Sequence, residues 1–307
     1  MKISLIIPCF NEQETVEKFY NAAKPVLRSL TDMEHEMIFV DDGSRDKTGE
    51  ILLKLAKEDK TVKVVRFSRN FGQQAAMICG FEKCGGDCAV ELDCDLQDPV
   101  EMIPVMVEKW KQGYEVVHGR RVKRKGETPF KKISAYLFYK KLNKITSFQI
   151  PRNTGVFKLI DRKIIDIIVS LPEKNKYLPG LESWVGFKQT FVEYEREARV
   201  GGKGHYNAAK LMRIAKSGVV ANTDYPLTLS LKAGATFGVL SVLGFISLIT
   251  LAVLNVSFDA ALWALPTITA TGSAVMLCNG ITNMYVDKIH EQTQDRPEYI
   301  IEKEINF

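Results

Sequence analysis

The chain has 307 residues and a formal net charge of +5, and its mean hydropathy is −0.08. This length suffices for one large or two smaller domains. The six cysteines form no C-x-x-C pair, which argues against a cysteine-ligated metal site. Residues 1–9 are too short and lack the cleavage pattern for a secretory signal peptide, so we expect cytoplasmic, reduced thiols that pack as small hydrophobes.

The first 120 residues alternate between short apolar runs and segments of helical spacing. We predict strands at 3–7, 36–40, 62–67, 88–92 and 115–118, with helices over about 12–30, 45–57, 73–83 and 100–112. This alternation predicts an α/β fold with a mostly parallel sheet and helices on both faces. A dinucleotide-binding site or a P-loop is unsupported, because neither G-x-G-x-x-G nor G-x-x-x-x-G-K-[ST] occurs.

An acidic turn, Asp93-Cys94-Asp95-Leu96-Gln97-Asp98-Pro99, follows the fourth predicted strand. Ligands of open α/β sheets bind beyond the carboxyl ends of the strands. In an extended chain Asp93 and Asp95 point the same way, and Gln97 continues the row. Their hard oxygen atoms suit Mg²⁺ or Mn²⁺. A solvated acidic turn closed by Pro99 explains the same residues equally well.

Two long stretches, 233–258 and 260–286, contain no Asp, Glu, Lys or Arg. Each exceeds the roughly 20 residues that cross a bilayer core, so we predict a transmembrane helical hairpin within 229–287; a pair of buried core helices is the alternative. Lys and Arg flank the hairpin but are absent from its turn, which places the preceding region and the 288–307 tail in the cytoplasm. Small residues in both spans allow close helix contact, and a homo-oligomer could form through them.

A basic segment, 120–146, interleaves Lys and Arg with aromatic and aliphatic residues. Next to a membrane hairpin, attraction to anionic lipid headgroups explains this composition more economically than nucleic-acid binding does. The juxtamembrane segment 206–228 is a second candidate for contact with membrane lipids. A solvated basic face is the alternative for each segment.

Four ordered motifs resemble those of family 2 inverting glycosyltransferases with a GT-A fold. They are Ile6–Glu12, Val40–Thr48, Arg69–Gly72 and Asp93–Pro99. The run Asn153-Thr154-Gly155-x-Phe157, the segment Gly186–Gln189 and the hairpin are similar to the polyprenyl-phosphate branch of that family, which includes dolichol-phosphate mannose synthases and bactoprenol glucosyltransferases. The resemblance covers essentially the whole chain and implies a catalytic GT-A domain at 1–205.

The resemblance also implies roles for individual residues. The nucleotide would be bound by Pro8, Asn11, Glu12, Asp41, Asp42 and Arg69. Mg²⁺ or Mn²⁺ would be bound by the catalytic Asp93 and Asp95 together with Gln97. The catalytic Arg120 and Arg121 would clamp phosphates, and Arg199 and His205 would contact the lipid phosphate. Capping of the helix after Ser44 is the alternative for one of the paired aspartates. For the arginine at position 69 and the two lipid-side residues, a solvated surface position is the alternative.

Two positions depart from the family pattern. Relatives often carry Asp where this chain has Val156, and Lys where it has His205. Without that Asp, a catalytic base is in doubt. A phosphate monoester acceptor is already anionic and needs no base, whereas a sugar hydroxyl must be deprotonated. Val156 therefore mildly favours a lipid-phosphate acceptor.

We therefore expect a metal-dependent glycosyltransferase anchored in the cytoplasmic membrane. It would move a sugar from a UDP- or GDP-linked donor to undecaprenyl or dolichyl phosphate with inversion, and no nucleic acid would be a partner. A membrane scaffold that lost turnover is one alternative, motivated by Val156. A polysaccharide synthase is another, disfavoured because Q-x-x-R-W is absent and the spans are too few for a pore.

Overall fold

The computed structural model describes residues 1–123, 154–174, 176–195 and 261–307, with isolated positions between 236 and 254. The chain divides into two compact units. One comprises Met1–Lys210 together with Pro297–Phe307, and the other comprises Leu211–Arg296.

Strands and helices alternate through the first 123 residues of the first unit. Its strands are β1 (Lys2–Cys9), β2 (Glu34–Asp41), β3 (Val62–Phe67), β4 (Cys88–Glu91), β5 (Val116–Lys123), β6 (Thr154–Asp161), β7 (Gln189–Glu195) and β8 (Ile301–Ile305). Its helices are α1 (Val16–Ser29), α2 (Thr48–Glu58), α3 (Gln73–Lys83), α4 (Ile103–Lys111), α5 (Arg162–Ser170) and α6 (Leu178–Trp184), with a 3₁₀ turn at Val100–Met102. Each element predicted in the first 120 residues is present, with boundaries shifted by a few residues.

The eight strands form one sheet in the order β7-β5-β6-β4-β1-β2-β3-β8. β1 pairs in parallel with β2 and β4, and β2 pairs in parallel with β3. β6 runs antiparallel to β4 and β5, and β8 runs antiparallel to β3. The predicted mostly parallel α/β sheet is confirmed.

Apolar cores cover both faces of the sheet. Ile3, Leu5 and Ile7 point to the face covered by α1, α2 and α4. Ile6 and Ile38 point to the opposite face, covered by α3, α5 and α6. Side chains of a strand alternate between faces, so continuous apolar runs fill both cores, as expected of buried parallel strands.

The second unit contains the helix α7 (Ala261–Thr293), which has 33 residues. Among the described residues, no helix combines the length and the apolar character that crossing a membrane requires. The first predicted span, 233–258, lies mostly outside the described residues. The transmembrane hairpin therefore stays a prediction.

Candidate active site

The carboxyl ends of β1, β2, β3 and β4 lie at one edge of the sheet, because these four strands are parallel. In the register, Cys9 pairs with Asp41, and Asp41 pairs with Arg66. The loops that follow the four strands carry the polar motifs seen in the sequence. The fold thus brings the predicted nucleotide-binding and metal-binding segments to the same edge, which we call the site edge.

The loop after β1 is tied to the loop after β2 by backbone and side-chain hydrogen bonds. Asn11 has a positive φ of 55°; its N–H donates to Ser44 Oγ at 2.9 Å, and its Oδ1 accepts from the N–H of Arg45 at 2.9 Å. The N–H of Glu12 donates to Thr48 Oγ1 at 2.8 Å. The short polar side chain of Asn tolerates the left-handed conformation, which explains Asn at this turn.

Both members of the paired aspartates after β2 are buried, and they have different partners. Asp41 Oδ1 accepts from the N–H of Ser44 at 2.9 Å. Asp41 Oδ2 lies 3.8 Å from Arg66 Nε and has no hydrogen-bond partner among the described residues. A buried carboxylate oxygen without a hydrogen bond is costly, so this atom is suited to a donor N–H from a ligand.

Asp42 holds the loop after β3. Its carboxylate accepts from Asn70 Nδ2 at 2.8 Å, from the N–H of Phe71 at 2.7 Å and from the N–H of Gly72 at 2.9 Å. The backbone of Gly43, with φ of 69°, lies against this loop, and a Cβ there would be 2.4 Å from the carbonyl carbon of Arg69. The aspartate and the glycine therefore fix the position of Arg69.

Arg69 is exposed at the site edge. Its guanidinium lies 4.1 Å from the centroid of the Phe71 ring, and Nη1 donates to the carbonyl of Asn70 at 3.2 Å. Cation–π contact restricts the guanidinium while its edge faces water. An anionic or aromatic ligand could reach it.

The acidic turn after β4 contains two aspartates held by the protein. Asp93 Oδ1 accepts from Gln73 Nε2, on the first residue of α3, at 2.7 Å. Asp95 is 6% exposed, and its Oδ1 accepts from the N–H of Gln97 at 3.1 Å. Leu96, between Asp95 and Gln97, has a positive φ of 57°. This tight turn keeps the two carboxylates near the site edge.

These donors fit a hard divalent cation shared with a substrate. Among the described residues, no group of three or more His, Cys, Asp or Glu side chains could enclose a metal. Mg²⁺ commonly binds one or two carboxylates, several waters and substrate phosphates. Asp93 and Asp95 are the two carboxylates that could supply that pattern, and the metal-binding role of Asp93, Asp95 and Gln97 stays a prediction.

Asp98, which our sequence reasoning gave no role, anchors the same turn from behind. Its buried carboxylate lies 3.4 Å from Arg121 Nη2 and accepts a short hydrogen bond from the Tyr194 hydroxyl; Arg121 Nε also donates to that hydroxyl at 3.0 Å. Burial, and then the charge of Asp98, raise the pKa of Tyr194. A Cβ on Gly155 would lie 2.2 Å from Arg121 Nη2, so the glycine leaves room for the guanidinium.

Arg120 points to the other face of the sheet, since neighbouring residues of a strand alternate. Its guanidinium stacks 3.7 Å from the Phe191 centroid, and Nη1 lies 3.9 Å from Glu193. The two arginines predicted as a phosphate clamp therefore do not face one point. Their role with phosphate stays a prediction.

The model of the family described as glycosyl transferase family 2 matches residues 4–168, more than half of the chain. The chain belongs to glycosyl transferase family 2. It is 39% identical over 307 residues to the uncharacterized glycosyltransferase YkcC of Bacillus subtilis (strain 168), covering 99% of this chain and 94% of that protein. It is 35% identical over 304 residues to the SfII prophage-derived bactoprenol glucosyl transferase of Shigella flexneri, covering 99% and 98%.

The GT-A fold expected from the motifs is also confirmed by solved structures. Glucosyl-3-phosphoglycerate synthase from Mycobacterium tuberculosis, in complex with Mn²⁺, UDP-glucose and phosphoglyceric acid, matches with a TM-score of 0.52 and 18% identity. The match covers 71% of this chain and 76% of the synthase. At this identity the likeness shows the fold alone.

This family 2 glycosyltransferase also contains a buried ionic cluster formed by Glu91 at the end of β4, Lys158 of β6 and Glu182 of α6. Lys158 Nζ lies 2.5 Å from Glu182 Oε2 and 3.7 Å from Glu91 Oε2. Burial raises the pKa of both carboxyls, that of Glu91 to about 8. The lysine stays charged between them. This cluster was not predicted from the sequence; the feature that could have indicated it is a charged residue inside an apolar strand, Val90-Glu91-Leu92.

His118 of β5 borders the cluster. Its Nε2 lies 2.9 Å from Gln189 Oε1. Burial, and then the charge of Lys158, lower the pKa of His118 to about 4, so the imidazole is neutral at neutral pH. Val156 of β6 packs against the apolar core on the α3 side, with no polar role.

The remaining predicted sites fall elsewhere in the glycosyltransferase. Pro8 lies within β1, opposite Val40 of β2. Arg199, His205, the segment 206–228 and most of the basic segment 120–146 lie outside the described residues.

Proposed function

We propose that this glycosyltransferase moves a sugar from a nucleoside-diphosphate sugar to a polyprenyl phosphate at the cytoplasmic face of a membrane, with inversion at the anomeric carbon. One observation carries the proposal: four parallel strands end at one edge, which carries a buried carboxylate oxygen without a hydrogen bond, an exposed arginine and a two-carboxylate turn. These three features match a base, a diphosphate and a cation bound to it.

The donor nucleotide would lie over the loops after β1, β2 and β3. Asp41 Oδ2 would accept an N–H of the base, which removes the cost of leaving this buried oxygen without a hydrogen bond. Arg69 would contact the nucleotide from the exposed side. Asp42 would act indirectly by holding the loop that carries Arg69. The structurally similar synthase was solved with UDP-glucose, which supports a nucleotide-sugar donor.

The diphosphate would lie at the acidic turn. Asp93 and Asp95 would hold Mg²⁺ or Mn²⁺, and the bound cation would neutralise charge that develops on the departing nucleoside diphosphate. Gln73 would keep the Asp93 carboxylate in place through its 2.7 Å hydrogen bond. Asp98, with Arg121 and Tyr194, would fix the turn from the other side.

Inversion follows from a single displacement. An oxygen of the acceptor phosphate forms a bond to the anomeric carbon as the bond from that carbon to the diphosphate breaks on the opposite side. An ionised phosphate monoester carries no proton that must be removed. Val156, an apolar residue where relatives often have Asp, is compatible with such an acceptor. The bactoprenol glucosyl transferase of Shigella flexneri supports a polyprenyl acceptor at the family level.

Membrane attachment rests on the sequence. The uncharged stretches 233–258 and 260–286, with Lys and Arg on their outer flanks, would form a hairpin that leaves the catalytic unit and the tail in the cytoplasm. A cysteine reporter at Asp259 should then react only from the non-cytoplasmic side, and one at Lys303 only from the cytoplasm. A cytoplasmic reporter at Asp259 would contradict the hairpin.

The proposal is tested by incubating the purified full chain with UDP- and GDP-sugars, Mn²⁺ and either undecaprenyl phosphate or undecaprenol. We expect transfer to the phosphate alone, and loss of transfer in Asp93→Asn. Asp166→Asn is the matched control, since Asp166 is exposed on α5 and pairs only with Arg162 of the same helix in the described contacts. Equal transfer to undecaprenol, or no transfer from any donor, would contradict the proposal.

A further inference from the structure

The last residues of the chain form part of the site edge. β8 pairs antiparallel with β3, with Val64 opposite Ile305 and Arg66 opposite Lys303. The N–H of Ser68 donates to the carbonyl of Ile300 at 3.0 Å. The pairing therefore continues to the residue before Arg69, at the point where β3 passes into the predicted nucleotide loop.

A row of rings connects this C-terminal segment to the same loop. Tyr299 stacks on Phe67 with 4.8 Å between centroids and 13° between planes. Phe67 meets Phe71 edge to face at 5.8 Å, and the Arg69 guanidinium lies over Phe71. Offset stacks and edge contacts are both favourable ring geometries. Movement of Tyr299 would thus reach Arg69 through two packed rings.

Ionic contacts through Arg66 connect the segment to the carboxylate of Asp41. Glu302 Oε2 lies 3.1 Å from Arg66 Nε, and the same nitrogen is 3.8 Å from Asp41 Oδ2. The guanidinium is also confined by Gly49, where a Cβ would lie 2.4 Å from Arg66 Nη1. Glu302 and Asp41 therefore share one guanidinium as ion-pair partners, and neither carboxylate forms a hydrogen bond with its Nε.

Further contacts fasten the segment to the rest of the first unit. Lys176 pairs with Glu298 at 3.2 Å, and Lys83 pairs with Glu304 at 2.7 Å. Asn306 Nδ2 donates to the carbonyls of Ala56 and Val62 at 2.7 and 2.8 Å. The segment lies in a fixed register, because side chains at both of its ends are anchored.

We propose that residues 298–306 position the nucleotide-binding edge, with Glu302 and Tyr299 as positioning residues that act through Arg66 and Phe67. This inference rests on the proposed nucleotide site. Glu302 holds Arg66 beyond hydrogen-bonding distance of Asp41 Oδ2, the oxygen that would accept from the base, and Tyr299 keeps the ring row under Arg69 in place. The segment thus affects donor affinity without touching the donor.

The test uses full-length variants and two measurements, the Kd for UDP and GDP by calorimetry with Mn²⁺, and hydrogen exchange over residues 66–72. We expect Glu302→Gln to weaken binding of the preferred nucleotide at least threefold and Tyr299→Ala about tenfold, with faster exchange in Tyr299→Ala. Tyr299→Phe keeps the ring stack and loses the hydroxyl contacts to Glu82 and Cys79. Lys303→Gln changes a charge on an exposed position of β8. Both controls should bind within twofold of wild type, and the KM for the lipid acceptor should stay constant in all four variants.

Nucleotide affinity within twofold of wild type in both Glu302→Gln and Tyr299→Ala would overturn this inference, even if their melting temperatures fall. Glu302→Gln removes only the partly exposed ion pair with Arg66, so we expect this variant to fold. The test therefore stays decisive even if Tyr299→Ala does not fold. A wild-type chain that binds neither UDP nor GDP would overturn the proposed donor site, and this inference with it. Wild-type binding with unaffected variants would overturn the positioning role alone.

Discussion

Replacing Lys158 by Met should strongly destabilise the catalytic unit. Its ammonium is the one cation within 4 Å of either Glu182 or Glu91 among the ion pairs of the described residues, and all three side chains are at most 3% exposed. Methionine has a similar length but no charge. Removing one partner of a buried ion pair costs about 3–5 kcal/mol, because the remaining charge is left without compensation.

That cost corresponds to a roughly 150- to 5,000-fold lower equilibrium constant for folding, at 1.36 kcal/mol per factor of ten. For a unit of this size the melting temperature should fall by about 6–20 °C. Scanning calorimetry of the full-length chain measures the change. Lys163→Met is the matched control: Lys163 pairs with Glu115 at 2.8 Å but is 52% exposed, and exposed pairs contribute about 1 kcal/mol or less.

The deficit should depend on pH in a defined direction. Burial raises the pKa of Glu182 in the folded chain, and removal of the lysine raises it further. The unfolded chain then loses its proton at a lower pH than the folded chain does, so stability falls as pH rises between the two pKa values. The loss caused by Lys158→Met should be larger near pH 8 than near pH 5. Adding Glu182→Gln should recover part of it.

A loss below about 1 kcal/mol would refute this reasoning, because it would show that the cluster is hydrated or that another cation replaces the lysine. An equal loss near pH 5 and near pH 8 would refute the assignment of the effect to the carboxyls. Failure of Glu182→Gln to recover stability would show that lost packing of the lysine stem, and not charge, explains the change.

Three further outcomes are expected. Asp95→Asn should abolish transfer, and EDTA should stop the wild-type enzyme until Mn²⁺ or Mg²⁺ is added; full activity in chelator would rule out the metal role. Tyr194→Phe loses the hydroxyl that bonds to Asp98, so it should weaken Mn²⁺ binding severalfold. An activity titration with Mn²⁺ measures this, and the KM for the nucleotide sugar should stay constant. An unchanged Mn²⁺ dependence would show that the acidic turn is fixed without the Tyr194 hydroxyl. Gly43→Ala should lower the melting temperature more than Gly113→Ala. Both glycines have a positive φ, but only at Gly43 would the added Cβ clash with the backbone of Arg69. Equal decreases would show that backbone strain, and not this clash, explains the loss of stability.

The sequence alone determined the alternating strands, the α/β class and the residues at the strand ends. Apolar runs of four to eight residues and helical spacing are local patterns, and parallel strands bring their carboxyl ends together without further information. The order of motifs led to the family, which the family model and the relatives confirm.

The structure decided which partner each polar side chain has. Lys158 and Glu182 are 24 positions apart, and Arg121 and Asp98 are 23 apart; no local spacing links such pairs. The sequence predicts Arg120 and Arg121 near phosphate, but it cannot show that the buried carboxylate of Asp98 already pairs with Arg121. Alternation along β5 separates Arg120 from Arg121, which adjacency in the sequence conceals.

The C-terminal segment shows most clearly the difference between what local sequence predicts and what tertiary structure decides. Ile-Glu-Lys-Glu-Ile has three charged residues in succession and lies in the predicted cytoplasmic tail 288–307, for which the sequence predicted no strand. It becomes strand β8 because β3 offers an unpaired edge, and backbone N–H and C=O groups pair there whatever the side chains are. Local sequence fixes which segments can form strands and helices through side-chain periodicity. Pairing between distant segments depends on backbone groups and on the space that other elements leave, and only the folded chain determines both.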